Sequence, residues 1–294
     1  MRQLIINGDD FGLHELINEG IIESHINGCL TSTTLMAGGL AFEHAVALAK
    51  QYPKLGVGVH LTLVGASPAA RADISTLVTR DGLFFPSYKE FACQYIQGKI
   101  AKEHIRHELW CQMQKVIGSG IPITHLDSHQ HLHVLPGMAE IIGSLAAEFH
   151  IEKIRIPSES VFFFGPSKNS FSRIAARTVL TACSTIAQHY YKKIGLSAPD
   201  HFYGMLSGGA MSQEVLQHII KTLPEGVTEI MVHPGSDRTA LSQRFTWGYR
   251  WQDELEALQS QSVLQEIKES GIQLISYQQL GRMQSALEAE VSKL

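Results

Sequence analysis

Acidic and imidazole side chains gather at four places in this sequence, and each place directly follows a short apolar run. Apolar runs of this length predict buried β-strands. The carboxyl ends of parallel strands meet at one face, where the active sites of β/α barrels are built. The pattern therefore predicts one polar site made by the ends of several strands. Its segments are Asp9-Asp10, His60, His125–His133 and His233.

The neighbouring carboxylates of Asp9 and Asp10 have two interpretations. Acidic residues after a strand often cap the following helix or form a turn. At the mouth of a barrel, one carboxylate can bind a metal while the other serves as a base. Two carboxylates so close together need a cation if both are to stay ionised at neutral pH. The apolar strand before them, which would carry both groups to the mouth, favours the second interpretation.

The segment from His125 to His133 holds four histidines and one aspartate within nine residues. Imidazole and carboxylate groups together suit Zn²⁺ and similar divalent metals. The spacing differs from the H-E-x-x-H pattern, which excludes the zincin class of site. Not all four histidines can be ligands, so some must support ligands or contact substrate. The roles of His125, His131 and His133 stay open at this point.

Three single residues each have a structural and a functional interpretation. A lone histidine on an apolar strand, such as His60, is more often a core residue than a ligand, but the histidines at neighbouring strand ends weaken that interpretation. His233 precedes a proline, so a hydrogen-bonded turn residue and a catalytic residue are equally consistent with the pattern. Arg155 lies in a short apolar run and needs an acidic partner if it is buried. Asp9 is the predicted partner.

Other motifs narrow the chemistry. The sequence lacks G-x-G-x-x-G and Walker A motifs, so nothing supports a nucleotide cofactor. It also lacks the G-x-S-x-G elbow of serine hydrolases. Trp247, Tyr249 and Trp251 could stack on the face of a sugar, but packing in an aromatic core is the favoured interpretation.

Alternating strand-like and helix-like segments position these residues. Such alternation indicates a mainly parallel sheet, and six or seven strands favour a barrel, which is incomplete if a strand is missing. We expect an α/β protein with one distorted, TIM-barrel-like domain over residues 1–294. The predicted strands are Leu4–Asn7, Leu30–Met36, Val57–Leu63, Ile123–Asp127, Lys153–Ile156, Glu229–Val232 and Gln273–Ser276. The predicted helices are Glu15–Asn27, Phe42–Gln51, Ala101–Ile117, Met138–Phe149, Ser172–Lys193, Ser212–Leu223 and Asp253–Ser270, and the predicted long loops are Asp73–Ser87 and Ser158–Asn169.

Composition excludes several classes of protein. The 294 residues carry 24 Lys and Arg against 28 Asp and Glu, for a net charge of −4, so nucleic acid is an unlikely partner. No apolar run approaches the roughly 20 residues that span a bilayer, and the first ten residues offer no signal-peptide core. The four cysteines form no C-x-x-C pair. We therefore expect a cytoplasmic globular protein with no integral membrane segment.

Five motifs together resemble the YdjC-like carbohydrate deacetylase family. They are NGDDFG at 7–12, TSTTL at 31–35, GVHLTL at 58–63, THLDSHQHLH at 124–133 and VHPG at 232–235. The motifs occur in family order over most of the chain, and the combination is specific although each piece alone is not. Gly8 stands where the family often has alanine. A looser match, at Arg155–Pro157 and Pro199–Gly204, resembles the subgroup associated with hopanoid biosynthesis.

The resemblance implies a metal-dependent N-deacetylase. One divalent metal, Mg²⁺ or Zn²⁺, would be held by Asp10, His60 and His129. The substrate would be an acetamido sugar, as a small carbohydrate such as a chitooligosaccharide or as a glycolipid. On this basis we expect the catalytic residues to be Asp9 as base, His233 as the acid that protonates the leaving amine, and Arg155 as the group that orients Asp9.

Other functions remain open on the sequence alone. The same ligands could serve a metal-dependent hydrolase of a phosphoester or of another amide. A catalytically silent homologue could bind carbohydrate or store metal, although Asp9 and His233 are both present. A metal-free glycosidase that uses Asp9 and Asp127 is less favoured, because the surrounding histidines would then have no purpose. A homodimer would be unsurprising.

Overall fold

A computed structural model of the protein describes residues 1–166 and 170–281. The described residues form one sheet of seven strands, and every pairing in it is parallel. The strands are β1 (Arg2–Phe11), β2 (Ser32–Leu35), β3 (Gly56–Leu61), β4 (Ile123–Ser128), β5 (His201–Tyr203), β6 (Gly226–Val232) and β7 (Gln273–Leu274). Their spatial order is β4-β3-β2-β1-β6-β5, with β7 added beside β1. The sheet curls into an incomplete barrel, which confirms the predicted fold class.

Strand β1 is the centre of the sheet. It pairs with β6 from Arg2 to Gly8, with β7 at Gln3 and Leu4, and with β2 from Asn7 onward. Helices cover the sheet, so β1 and β3 are buried on both faces, as their nearly continuous apolar runs predict.

The predicted strand Lys153–Ile156 is wrong in detail. This segment makes only two isolated bridges, Leu126 with Ile154 and Lys153 with Ser197. The ladder cannot extend because Pro157, the next residue, has no N–H to donate. The three-residue strand β5 pairs with β6 and was not predicted.

Six of the seven predicted helices are confirmed within one or two residues at most ends. The long helix predicted over Asp253–Ser270 is instead two helices, because the backbone of Ser260 has a non-helical ψ of 124°. The Ser260 hydroxyl donates a hydrogen bond to Gln213 Oε1 at 2.9 Å. The helices are α1 (Glu15–Asn27), α2 (Phe42–Gln51), α3 (Tyr88–Ile96), α4 (Lys102–Gly118), α5 (Met138–Glu148), α6 (Phe171–Lys193), α7 (Gln213–Lys221), α8 (Arg238–Arg244), α9 (Trp251–Gln259) and α10 (Gln261–Glu269).

Two of the predictions extend beyond the residues that the structure describes. The predicted loop Ser158–Asn169 includes residues 167–169, and the predicted domain includes residues 282–294; both stretches lie outside the described residues. Among the helices that the structure describes, none is long and apolar enough to cross a membrane.

The contact between α1 and the loop after β6 leads to a stability prediction. A Cβ on Gly20, in α1, would lie 2.5 Å from the Cα of Gly235. Gly20→Ala should therefore lower the free energy of unfolding by about 1–3 kcal/mol, although alanine is the better helix former. Gly118→Ala is the matched control, because a Cβ there meets nothing within 4 Å. Urea unfolding of both variants is the measurement, and equal stability of the two would contradict the packing argument.

Candidate functional site

The four polar segments of the sequence meet at the carboxyl end of the sheet. Asp9 and Asp10 lie at the end of β1, His60 in β3, His129 directly after β4 and His233 directly after β6. All five side chains are buried. Asp10 has a left-handed backbone, with φ of 66°, at an irregularity in the pairing of β1 with β2. This kink turns two consecutive carboxylates toward different neighbours.

Asp10, His60 and His129 form a cluster that could hold a metal ion. Asp10 Oδ1 lies 2.9 Å from His129 Nδ1 and 3.3 Å from His60 Nε2. One ligand atom from each of the three residues lies within 4.8 Å of the others. Both carboxylate oxygens of Asp10 and Nε2 of His60 are buried, and the close approaches of Asp10 Oδ1 to the two imidazoles lack the geometry of a hydrogen bond, so none of these atoms has a hydrogen-bond partner among the described residues. Buried polar atoms are normally paired, so these atoms fit a bound cation.

Asp127 sets the orientation of His60. The Nδ1 atom of His60 lies 2.7 Å from Asp127 Oδ1 and 3.1 Å from Thr34 Oγ1. A proton on Nδ1 that is donated to Asp127 leaves Nε2 free as a metal ligand, the usual support of a ligating histidine. A second possible group, Asp9 with His60 and Asp127, fits less well because Arg155 already binds both of its carboxylates.

The charges of this cluster depend on one another. Burial raises the pKa of Asp10, but His129 and His60 outweigh burial and hold that pKa well below its usual range. Burial lowers the pKa of His60, but Asp127, Asp10 and Asp9 outweigh it and raise the pKa to about 10. Without a metal, His60 is therefore protonated on both ring nitrogens at neutral pH. A metal must displace the proton on Nε2, so metal affinity should rise with pH.

His129 lies between the end of β4 and a strained turn. It begins a short 3-10 segment, His129–Val134, in which Gln130 and His131 have left-handed φ angles of 55° and 57°. Gln130 is held because its Oε1 accepts a hydrogen bond from the Tyr88 N–H at 2.9 Å. Left-handed non-glycine residues are uncommon and concentrate at functional sites.

Arg155 binds Asp9, as predicted. Its Nη1 and Nη2 atoms each donate to one oxygen of Asp9 at 2.7 Å, a bidentate pair. The same guanidinium lies 2.7 Å from Asp127 Oδ2 and donates from Nε to Glu229 Oε1 at 2.9 Å. Asn7 Nδ2 also donates to Asp9 Oδ1 at 2.9 Å. Asp9 is therefore held on both oxygens beside the candidate metal cluster.

Three buried carboxylates share the single cation of Arg155. Burial lowers the pKa of Arg155, but Asp127, Asp9 and Glu229 raise it well above its usual value, so the side chain stays charged. Burial raises the pKa of Glu229 despite Arg155 and despite the Tyr277 hydroxyl that donates to it at 2.7 Å. Sequence reasoning missed Glu229; its position in β6, among apolar residues, was the available signal.

His233 is held by its backbone. Its N–H donates to the buried carboxylate of Glu254 in α9, which also accepts the Met211 N–H at 2.9 Å. The Nδ1 atom of His233 is buried and has no hydrogen-bond partner among the described residues. The imidazole packs on the Tyr249 ring at 4.8 Å between centroids. Sequence reasoning missed Glu254, for which only its place in an amphipathic helix was visible.

The other three histidines of the His125–His133 segment lie outside the cluster. His125 stacks on Tyr277 at 3.5 Å between ring centroids, and burial lowers its pKa to about 3. His131 packs edge-on against Phe202. His133 Nδ1 lies 2.6 Å from Ser128 Oγ, and its Nε2 lies 3.0 Å from the Arg155 carbonyl oxygen. These side chains support the residues around the cluster.

His133 should make the protein less stable in acid. Burial lowers its pKa to about 4, against about 6.5 in the unfolded chain. Between these values the unfolded state binds the proton and the folded state does not, so stability falls as the pH drops from about 6.5 to 4. His133→Gln should reduce the slope of unfolding free energy against pH by up to about 1.4 kcal/mol per unit. The exposed His189→Gln is the control, and an unchanged slope in His133→Gln would contradict the assignment.

Aromatic side chains line one side of the site. Trp251 is fully buried, which confirms core packing for that residue. Trp247 and Tyr249 are only partly buried. The Trp247 ring lies 5.6 Å from the ring of His129 and 5.5 Å from that of Tyr249. Both partly buried rings pack against the hydrophobic core, and each keeps part of its surface accessible.

Several known proteins with similar sequences are named deacetylases. Over 284 residues the chain is 34% identical to a carbohydrate deacetylase of Clostridium beijerinckii, a match that covers 95% of this chain and all of that protein. A carbohydrate deacetylase of Brevibacillus brevis is 31% identical over 280 residues, with the same coverage. A chitooligosaccharide deacetylase of Salmonella typhimurium is 39% identical over 161 residues, which are 54% of this chain and 61% of that protein.

The fold and the family model agree with these matches. A crystal structure of an Enterococcus faecalis protein, described as a candidate cellobiose-phosphate cleavage protein, superposes with a TM-score of 0.74 at 27% identity. The superposition covers 95% of this chain and 98% of that one. The family model described as YdjC-like protein matches residues 3–269, nearly the whole described chain. The resemblance found in the sequence motifs is thereby confirmed, and the chain belongs to the YdjC-like protein family.

Proposed function

We propose that this protein is a metal-dependent hydrolase that removes the acetyl group from an acetamido sugar. One observation carries the proposal: the unpaired ligand atoms of Asp10 and His60 lie beside a second carboxylate, Asp9, that Arg155 holds on both oxygens. Hydrolysis of an amide needs both an electrophilic centre and a positioned base. The full-length relatives named carbohydrate deacetylases support the same reaction and indicate the substrate class.

Asp10, His60 and His129 would hold one divalent metal, Mg²⁺ or Zn²⁺. When bound, the metal would supply Lewis-acid chemistry that polarises a carbonyl group and makes water more acidic. His60 enters this ligand set through Nε2, because Asp127 accepts the proton on Nδ1. The burial of all three residues keeps bulk water away from the ligand atoms.

Asp9 and His233 would move the protons. Asp9 takes a proton from the attacking water, whose oxygen forms a bond to the acetyl carbon. The bond from that carbon to the sugar nitrogen then breaks, and His233 gives a proton to the nitrogen. Acetate and a free amino sugar leave. Arg155 and Asn7 keep the Asp9 carboxylate in one orientation throughout, so little entropy is lost when it acts.

Several finer assignments remain predictions. The acetylated sugar can be a free oligosaccharide or the head of a glycolipid, and the resemblance to the hopanoid-associated subgroup also stays a prediction. A single domain over residues 1–294, the cytoplasmic location and the homodimer likewise stay predictions from the sequence.

Elemental analysis paired with acetate release tests the proposed function. We expect about one metal per chain, and acetate release from N-acetylchitooligosaccharides or N-acetylglucosaminyl lipids that a chelator abolishes. Asp9→Asn should keep the metal and lower kcat by about 10²–10⁴-fold, the usual loss for a general base. Asp81→Asn, at an exposed position, is the control and should behave as wild type.

The outcomes separate the alternatives. Metal without acetate release would keep the metal site and point to a phosphoester or to another amide as the substrate. Absence of metal even after reconstitution would overturn the mechanism. A full loss of metal in Asp9→Asn would show that Asp9 is a ligand, not a base.

A further inference from the structure

The chain between α8 and α9 places four aromatic rings at alternate positions. Phe245, Trp247, Tyr249 and Trp251 are partly or fully buried, while the residues between them are exposed. The segment turns at residues 246–247 and Gly248 has a left-handed φ of 71°, so the ring contacts themselves show where these side chains lie. Trp247 contacts the ring of His129 at one end of the site, and Tyr249 contacts the ring of His233 at the other. These two rings therefore lie between the candidate metal ligands and the candidate proton donor.

We propose that Trp247 and Tyr249 bind the pyranose ring that carries the acetamido group: Trp247 stacks on its face, and the Tyr249 hydroxyl donates a hydrogen bond to it. This inference rests on the proposed function and names the residues that recognise its substrate. The apolar face of a pyranose suits an aromatic ring, and its hydroxyl and acetamido oxygens accept hydrogen bonds.

Trp247 packs against the edge of the hydrophobic core and is not enclosed by it. Phe245 and Trp251 already contact each other at 6.3 Å between centroids, and Trp251 is fully enclosed. Trp247 lies on the outer side of Phe245, at 4.8 Å, and stays partly exposed. Its indole N–H makes no hydrogen bond with any described residue. A partly exposed aromatic ring with a free donor beside a polar site is typical of a ligand contact.

Tyr249 is held in place while its hydroxyl stays free. A Cβ on Gly209, which has φ of 75°, would lie 2.2 Å from Cδ1 of the Tyr249 ring, so only glycine lets the ring pack there. The hydroxyl makes no hydrogen bond with any described residue. Burial and the nearby carboxylates of Asp10, Glu254 and Asp9 raise the pKa of Tyr249 well above its usual value. The phenol is therefore protonated at neutral pH and available as a donor close to the reacting groups.

The kinetic test uses N,N′-diacetylchitobiose as substrate and compares Trp247→Ala, Trp247→Phe and Tyr249→Phe with wild type. Trp247→Ala should raise KM about 10- to 100-fold, and Trp247→Phe should recover most of the loss because it restores a stacking ring. Tyr249→Phe keeps the ring and should lower kcat/KM about 10- to 100-fold. Trp110→Phe is the control, because Trp110 bonds Glu148 on α5 and should leave both constants unchanged.

A binding test separates this inference from the proposed function. Metal-loaded Asp9→Asn protein is titrated with the same disaccharide while tryptophan fluorescence is recorded, with and without Trp247→Phe. A saturable change that Trp247→Phe removes would support the sugar surface even if wild type released no acetate. Acetate release with an unchanged KM in Trp247→Ala would overturn the inference and leave the proposed function intact. Loss of metal in a folded Trp247→Ala or Trp247→Phe variant would also overturn it, because Trp247 would then only support His129.

Discussion

His60→Ala should abolish both metal binding and acetate release. The variant removes Nε2, one of three ligand atoms around the candidate site, and leaves Asp10 with one imidazole neighbour instead of two. It also leaves Asp127 Oδ1 without its 2.7 Å partner. A site with two protein ligands holds a divalent ion weakly, so we expect less than about 0.1 metal per chain after dialysis and turnover below detection. Elemental analysis and an acetate assay on the same preparation are the measurements.

Graded variants show whether the loss comes from the metal site. Asp127→Asn keeps His60 but weakens its support, and should reduce metal affinity by about 10–100-fold without abolishing it. The exposed His189→Ala is the control and should match wild type. If His60→Ala retained metal and activity, the ligand assignment would be wrong. If His60→Ala unfolded, circular dichroism would reveal this, and the metal affinity of Asp127→Asn would then test the ligand assignment.

Arg155→Met should destabilise the protein by about 3–5 kcal/mol and abolish acetate release. Arg155 is fully buried, and its guanidinium compensates the carboxylates of Asp9, Asp127 and Glu229. Removal of one partner from a buried ion pair leaves an uncompensated buried charge, and this lowers the free energy of unfolding strongly. Here three carboxylates lose the guanidinium at once, although Asp127 keeps its contact with His60. Urea unfolding measures the loss of stability.

Two companion variants separate charge from geometry. Arg155→Lys restores the positive charge but cannot bind Asp9 through two parallel N–H bonds. It should recover part of the stability while acetate release stays low. Arg71→Met, at an exposed position, is the surface control and should change stability by less than about 0.5 kcal/mol. An Arg155→Met protein as stable as wild type would contradict the compensated network.

The polar site could be predicted from the sequence because strand ends are visible there. Apolar runs ending at Asp9-Asp10, His60 and His233 predict that their polar ends meet, since parallel strands share one carboxyl face. The Arg155–Asp9 pair could be predicted too, because a buried guanidinium must find a carboxylate. Both predictions can be made without knowing how far apart the residues lie in the folded protein.

The remaining partners of Arg155 and His233 could not be predicted. Glu229 lies 74 residues from Arg155, and Glu254 lies 21 residues from His233 in a helix that the sequence placed only approximately. Each looked like an ordinary acidic residue, because the burial of a carboxylate is decided by what packs over it. A sequence pattern shows the type of a side chain and its periodic spacing, but it does not show which residues will bury that side chain.

The His125–His133 segment shows the same limit. His125 and Asp127 lie on one face of β4, yet His125 stacks on Tyr277 while Asp127 supports His60. His129 is the first residue after β4 and reaches Asp10 where the chain leaves the strand, directly before two left-handed residues, Gln130 and His131. A left-handed conformation cannot be predicted from a glutamine or a histidine, because the surrounding packing imposes it.

The α/β alternation, the family and the convergence of acidic and imidazole groups at one end of the sheet were all predictable from the sequence. These follow from the order and period of apolar residues, which are local properties of the chain. The folded structure was needed to show which histidines face Asp10, which carboxylates share Arg155 and which aromatic rings lie partly exposed beside the site. Those assignments depend on depth and on contacts between residues far apart in the chain, because burial determines whether a polar atom must find a partner and which partner is within reach.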